Sequence, residues 1–186
     1  LGRSGLVIGE GAGTLVLERE SFAKTRKANI LAKISGIGMS SDAHNAVQPL
    51  AEGAQQAMQA ALNDAKLSCD EIDYINAHGT STPAGDIVEL NAIKTVFGMN
   101  APVIGSTKSL SGHSLGAAGV QEAIYSILMM QSDFIAASAN IETIDPEAEG
   151  MPIALHRIDK PINRILSNSF GFGGTNACMT FQKLNS

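Results

Sequence analysis

The stretch from about Gly112–Gly116 to Gln131 reads as one helix that is apolar almost all round. Its body carries Val120, Ala123, Ile124, Ile127, Leu128, Met129 and Met130. A helix hydrophobic on nearly every side is normally central in a protein. The rest of the chain has to supply layers that cover it. Glu122 lies inside this helix, where an unpaired carboxylate is costly. Lys108 or a bound cation is the partner that the sequence offers.

The covering layers follow from the remaining periodicities. Residues 5–18 read as a glycine-kinked strand, and Ile30–Gly38 as another. A loop follows over Ser40–Asn45. Ala51–Ala65 reads as a helix, with Ala54, Met58, Ala61, Leu62 and Ala65 on one face. Asp73–Ala77 is a short β-rich run ending at His78. Pro83 suits the first turn of a further helix, whose buried stripe is Ile87, Leu90, Ile93, Val96 and Phe97. Pro102–Ser106, Arg164–Ser169 and Ala177–Lys183 complete the strands. Strands alternating with helices imply an α/β fold, a mixed sheet layered with helices.

The chain has 186 residues, 44% hydrophobic and 17% charged, enough to bury a good core. The net charge of −5 and the lack of a basic stripe argue against a nucleic-acid partner. No apolar run is long enough to span a membrane as a helix. Cys69 and Cys178 show no metal spacing and no disulfide framework, which fits a reducing cytoplasm. The first residue is Leu1, not Met, and the opening runs directly into apolar sequence. The chain therefore reads as part of something larger.

Three segments of small residues surround two histidines and a lysine. They are Asn76-Ala-His78-Gly-Thr80-Ser-Thr82, Ser106-Thr-Lys108-Ser-Leu-Ser-Gly-His113, and Asn168-Ser-Phe-Gly-Phe172-Gly-Gly-Thr175-Asn176. His78 ends a strand and His113 enters a helix, positions where α/β sheets gather ligands. Two neutral imidazoles can each donate an N–H to a carbonyl oxygen and so stabilise an enolate as its charge develops. Lys108 can support one of them, or pair with Glu89 or Glu122. Asn76, Glu89, Glu122 and Ser167 can supply oxygens to a structural cation. Gly171 and Gly173 let backbone amides turn inward, and Phe170 or Phe172 can wall a pocket. Thr80 and Thr82 can hydrogen-bond a linear polar ligand. A rival motif is Gly112-His-Ser114-Leu-Gly116, a nucleophile-elbow pattern followed by Asp145 and His156.

On these residues the chain resembles the C-terminal half of a bacterial β-ketoacyl-acyl carrier protein synthase of the synthase I/II type. The matching stretches are Gly9–Glu18, Asn76–Asp86, Ser106–Tyr125 and Asn168–Asn176. The resemblance implies a thiolase-like fold, the C-terminal half of a duplicated αβαβα architecture. Residues 1–40 are then the last strands of the N-terminal half, and 41–186 the C-terminal domain. It implies decarboxylative Claisen condensation of an acyl-enzyme with malonyl-acyl carrier protein. It implies no cofactor in the chemistry, substrates carried on phosphopantetheine, and a homodimer with its N-terminal half present.

By motif match, His78 and His113 hold the malonyl thioester carbonyl, Lys108 supports them and Glu122 is its neighbour. Thr80 and Thr82 match contacts to the phosphopantetheine arm. Phe172 matches an oxyanion amide and a gate, within the segment that also holds Phe170, Gly171 and Gly173. Asp42 and Asn176 resemble residues of two loops that move together. The family's cysteine nucleophile would precede Leu1, and neither Cys69 nor Cys178 matches it. The chain alone is therefore expected neither to condense nor to accept an acyl group. The alternatives are a non-catalytic partner subunit of the chain-length-factor type and a serine hydrolase using Ser114.

Overall fold

Side-chain alternation along the strands decides the layering. The computed structural model describes residues 1–184. Its main elements are α1 (Glu20–Thr25), β1 (Lys33–Ser41), α2 (Ala51–Ala65), β2 (Tyr74–Asn76), α3 (Pro83–Phe97) and β3 (Val103–Gly105). They continue with α4 (Lys108–Ser111), α5 (Ala118–Gln131), β4 (Phe134–Ile135), β5 (Ile158–Asp159), β6 (Arg164–Gly171) and β7 (Thr175–Gln182). Five strands form a mixed sheet in the order β1-β7-β6-β2-β3. β7 is antiparallel to β1 and β6, and β2 is parallel to β6 and β3.

Ile75, Leu166 and Cys178 face one side, where they meet Ala54, Met58, Leu62 and Ile93 of α2 and α3. Tyr74, Ile165 and Phe181 face the other side, against Ala123 and Met130 of α5. Helices therefore cover both faces of the sheet, as the pattern of alternating elements implies. Fully burying Ile75, Ile165 and Leu166 contributes about 1.5–3 kcal/mol each.

Small residues set the distance between β1 and α2. A Cβ at Gly38 would lie 2.0 Å from the Ala57 carbonyl oxygen, and one at Gly36 would lie 2.3 Å from that of Ala61. α2 ends where Lys66 turns left-handed at φ 56°, its N–H bonding back to the last turn. The β6–β7 hairpin turns over Phe172–Gly174, with Gly173 and Gly174 at φ 82° and 76°. These positive angles are the conformational reason for glycine there.

Three expectations change. Residues 5–18 form no strand. Only Ile8 makes a bridge, to His113, because no neighbouring strand among the described residues offers a ladder to the rest. α5 is not enclosed all round. Segment 11–15 crosses its outer side, where a Cβ at Gly13 would meet Val120 and Ile124, but Leu128 is 54% exposed. The boundary expected after residue 40 falls inside β1, which pairs along its length with β7.

Candidate active site

The parallel strands β2 and β3 deliver the two histidines. β2 ends at Asn76, and the chain leaves the sheet through Ala77 to His78. There the Glu89 carboxylate of α3 accepts the N–H groups of His78 and Gly79, both at 2.8 Å. Glu89 also accepts Asn168 Nδ2 at 3.1 Å. Burial raises the Glu89 carboxyl above its ordinary range, against these N–H groups, which favour the charge.

After β3, the single turn α4 leads through Gly112 at φ 72° to His113. The backbone of His113 is clasped by the opening segment. Its N–H donates to the Val7 carbonyl at 2.8 Å, and its carbonyl accepts the Gly9 N–H at 2.9 Å. The two imidazoles meet edge to face, with centroids 5.4 Å apart and planes at 86°. Phe170 lies on the other side of His78 at 6.0 Å. Burial, then the Lys108 ammonium and His113, push His78 down to about 3. His113 is lowered in turn by burial and Lys108. Both rings are therefore neutral near pH 7. His113 Nδ1 accepts the Leu115 N–H at 3.2 Å, so the ring proton resides on Nε2.

Lys108 and Glu122 form the buried pair that the sequence called for, with side chains 5% and 3% exposed. Burial outweighs the ammonium and pushes the Glu122 carboxyl up to about 7. Glu122 Oε2 and Asn76 Oδ1 are buried without hydrogen-bond partners, and Asn76 Nδ2 donates to Ser167 Oγ at 3.3 Å. Oxygens of this kind suit a hard cation, so Asn76, Glu122 and Ser167 fit the expected set. Glu89 accepts two N–H groups at Oε1 and one at Oε2, which leaves Oε2 a lone pair for a cation.

A cavity of about 560 Å³ opens beside the histidines, lined by Thr80, Lys108, His113, Ser138 and Ile144. Thr80 and Thr82 share a hydrogen bond at 3.0 Å. Phe172, at the tip of the glycine turn, is 73% exposed. Gly171 precedes it at the end of β6, and the Gly173 N–H donates to the Ala46 carbonyl at 2.8 Å. The Asp42 loop is tied to the same turn. Asp42 Oδ1 accepts Asn176 Nδ2 at 2.7 Å, and its N–H donates to the Gly174 carbonyl at 2.8 Å.

The serine-hydrolase arrangement is not assembled. α4 intervenes between β3 and the turn, so no strand feeds Ser114. Ser114 donates to Gln121. Asp145 accepts Arg3 Nη1 at 2.7 Å and the Glu147 N–H, not a histidine, and His156 is exposed.

A family described as "Beta-ketoacyl synthase, C-terminal domain" matches residues 31–142, more than half of the chain. The chain belongs to the beta-ketoacyl synthase family. It is 50% identical over 182 residues to "3-oxoacyl-[acyl-carrier-protein] synthase 1" of Escherichia coli strain K12, covering 98% of this chain and 44% of that protein. Among solved structures it resembles "The ishigamide ketosynthase/chain length factor", with TM-score 0.95 and 36% identity over 99% of this chain and 46% of the other. It also resembles the ketosynthase complex "AntDE:AntF (apo): type II PKS acyl-carrier protein in complex with its ketosynthase bound to the hexaketide". There the TM-score is 0.86 and the identity 31%, over 90% of this chain and 42% of that one.

The beta-ketoacyl synthase domain thus spans less than half the length of these relatives, and its thiolase-like fold is the expected one. Sequence reasoning missed three parts of its site. Val7 and Gly9 clasp His113, Asn168 reaches Glu89, and Arg3 bridges Asp86 and Asp145. Each link joins residues that only the fold brings together, so no motif carried it.

Proposed function

We propose that this chain supplies the decarboxylating and enolate-stabilising half of a 3-oxoacyl-acyl carrier protein synthase. The observation that carries the reading is the edge-to-face pair of neutral imidazoles, His78 and His113. Each donates an N–H to the thioester carbonyl oxygen of a malonyl unit. As the bond to the carboxylate breaks, CO2 leaves. The bonding electrons form an enolate whose oxygen both imidazoles stabilise. The enolate carbon then attacks an acyl thioester on a nucleophile supplied by another part of the protein. Lys108 fixes the local charge and helps keep both rings neutral. No step in this half needs a cofactor.

The remaining roles belong to the same reading. Thr80 and Thr82 contact the phosphopantetheine arm that carries the substrate. Phe172, with Phe170, Gly171 and Gly173, forms the oxyanion and gating segment, and Asp42 with Asn176 couples it to the facing loop. Asn76, Glu89, Glu122 and Ser167 hold a structural cation. Acyl carrier protein, the remainder of the synthase and a second copy are its partners, in the cytoplasm. Among the described residues no helix is long and apolar enough to cross a membrane. The division between halves lies before Lys33, because β1 belongs to the sheet described above.

The test is malonyl-carrier protein decarboxylation by the full-length gene product. His78→Ala or His113→Ala lowers the rate by about a hundredfold or more, the scale of one lost oxyanion donor. Unchanged rates overturn the reading. The 186-residue chain by itself forms no acyl adduct. A non-catalytic chain-length-factor subunit is the second reading, because the solved structure with TM-score 0.95 carries both a ketosynthase and a chain length factor in its name. Whether a nucleophilic cysteine is encoded upstream separates the two.

A further inference from the structure

We infer that Asn168 and Cys178 are positioning residues for His78, acting through Glu89. The two face each other across the β6–β7 ladder. Cys178 Sγ donates to Asn168 Oδ1 at 3.1 Å, and Asn168 Nδ2 donates to Glu89 Oε1 at 3.1 Å. Glu89 in turn accepts the backbone N–H groups of His78 and Gly79. The relay crosses from β7 through β6 and Glu89 of α3 to the peptide that follows β2.

The direction of every bond is forced. Glu89 Oε1 already acts as an acceptor for the His78 N–H, so the amide presents its NH2 to that oxygen. The amide oxygen then faces Cys178, and the thiol is the donor available to it. Burial, with the negative Glu89 beside it, drives the thiol's ionisation well above its usual range and keeps that hydrogen in place. The amide cannot flip without setting its oxygen against the carboxylate.

The placement is not explained by packing alone. Asn168 is 0% exposed, Cys178 1% and Glu89 4%, beside a cluster otherwise built of alanine, isoleucine, leucine, methionine and Phe97. Apolar residues of similar size would fill that space without the cost of burying polar groups. Glu89 also makes no ion pair among the described residues. Its charge is held by neutral donors aimed at it from two sides. One side is the peptide that carries His78, and the other is the Asn168–Cys178 pair. Gly79 is pinned from its other face as well, its carbonyl accepting Ser106 Oγ at 2.9 Å. The relay therefore fixes the peptide from which the imidazole springs, while touching neither the ring nor any substrate.

This inference rests on the role of His78 proposed above, and the test separates the two. Asn168→Leu, Cys178→Ala and Cys178→Ser are made in the full-length gene product. Three things are measured: malonyl-carrier protein decarboxylation, acyl transfer to the enzyme, and hydrogen exchange at the His78 and Gly79 amides. Asn168→Leu slows decarboxylation by about tenfold to a hundredfold, the scale of losing a hydrogen bond to a charged group. Acyl transfer stays within about twofold, as a step that does not use His78, and exchange at both amides accelerates. Cys178→Ala gives the same pattern more weakly and serves if Asn168→Leu does not fold. Cys178→Ser, which keeps a donor, returns towards the parent. Parental exchange in both Asn168→Leu and Cys178→Ala overturns the inference, as does decarboxylation falling in step with acyl transfer. A parent that does not decarboxylate defeats the functional reading instead, and the exchange measurement still decides this one.

Discussion

His113 accepts the Leu115 N–H at Nδ1, 3.2 Å away, so its donor is Nε2. A glutamine side chain places an NH2 near the position of Nε2, whereas asparagine is too short and mimics Nδ1. His113→Gln should retain about tenfold more malonyl decarboxylation than His113→Asn, the scale of one retained hydrogen bond. A faster rate for His113→Asn than for His113→Gln would show that the other nitrogen acts, and equal rates would contradict the assignment to Nε2.

The stability of the protein should carry the mark of His78. Folded, its imidazole stays neutral down to about 3, and its ordinary value is 6.5. Between those values the unfolded chain binds more protons, so this group makes stability fall as pH drops from 6.5 toward 3. The slope approaches about 1.4 kcal/mol per pH unit. Glu122 works in the opposite sense, because its raised value makes the folded state the better proton binder. The difference between parent and His78→Gln isolates the histidine. Denaturant titrations from about pH 5 to 6.5 should show the parent gaining stability relative to the variant as pH rises, and an unchanging difference would contradict the lowered imidazole.

Lys108 and Glu122 depend on each other more than on the rest of the core. Lys108→Met leaves a buried carboxylate without its cation and should destabilise by about 3–5 kcal/mol. Lys108→Met combined with Glu122→Leu removes both charges and should cost less than Lys108→Met alone. Chemical denaturation of the full cycle measures the coupling.

Gly38→Ala should destabilise although it replaces glycine in a strand. The new Cβ would stand 2.0 Å from the Ala57 carbonyl oxygen and 2.4 Å from the Ala61 nitrogen, both backbone atoms of α2. The helix must move away, at a cost of about 1–3 kcal/mol or more. A thermal midpoint equal to that of the parent would contradict the close β1–α2 contact.

Ser114 should not react as a nucleophile. Its hydroxyl donates to Gln121, and no histidine accepts from it among the described residues. A fluorophosphonate probe is expected to leave Ser114 unlabelled, and labelling would restore the hydrolase reading.

Much of this was legible before the fold was known, where the signal is local. α2 and α3 followed from periodicity and from Pro83, and the glycine turn at Phe172–Gly174 from its composition. Glu122 announced its need for a cation because a carboxylate in an apolar helix has few alternatives, and Lys108 meets that need. Glu89 gave no such notice. Its partners are backbone N–H groups and an asparagine from another strand, set by sheet register. Cys178 likewise read as packing, since only the β6–β7 pairing places it opposite Asn168. Residues 5–18 misled in the other direction. Their composition suits a strand, but a strand also needs a neighbour, and among the described residues only Ile8 finds one.

The clasp of Val7 and Gly9 on His113 sets a rule for anyone recombining this protein. The region that the family match delimits begins at residue 31, so a chimera spliced there would inherit His113 together with a foreign opening segment. The placement of His113 would then depend on whether the donor's backbone reproduces two hydrogen bonds more than twenty residues upstream of the splice. Crossovers placed ahead of Val7 keep segment and histidine together as one heritable unit.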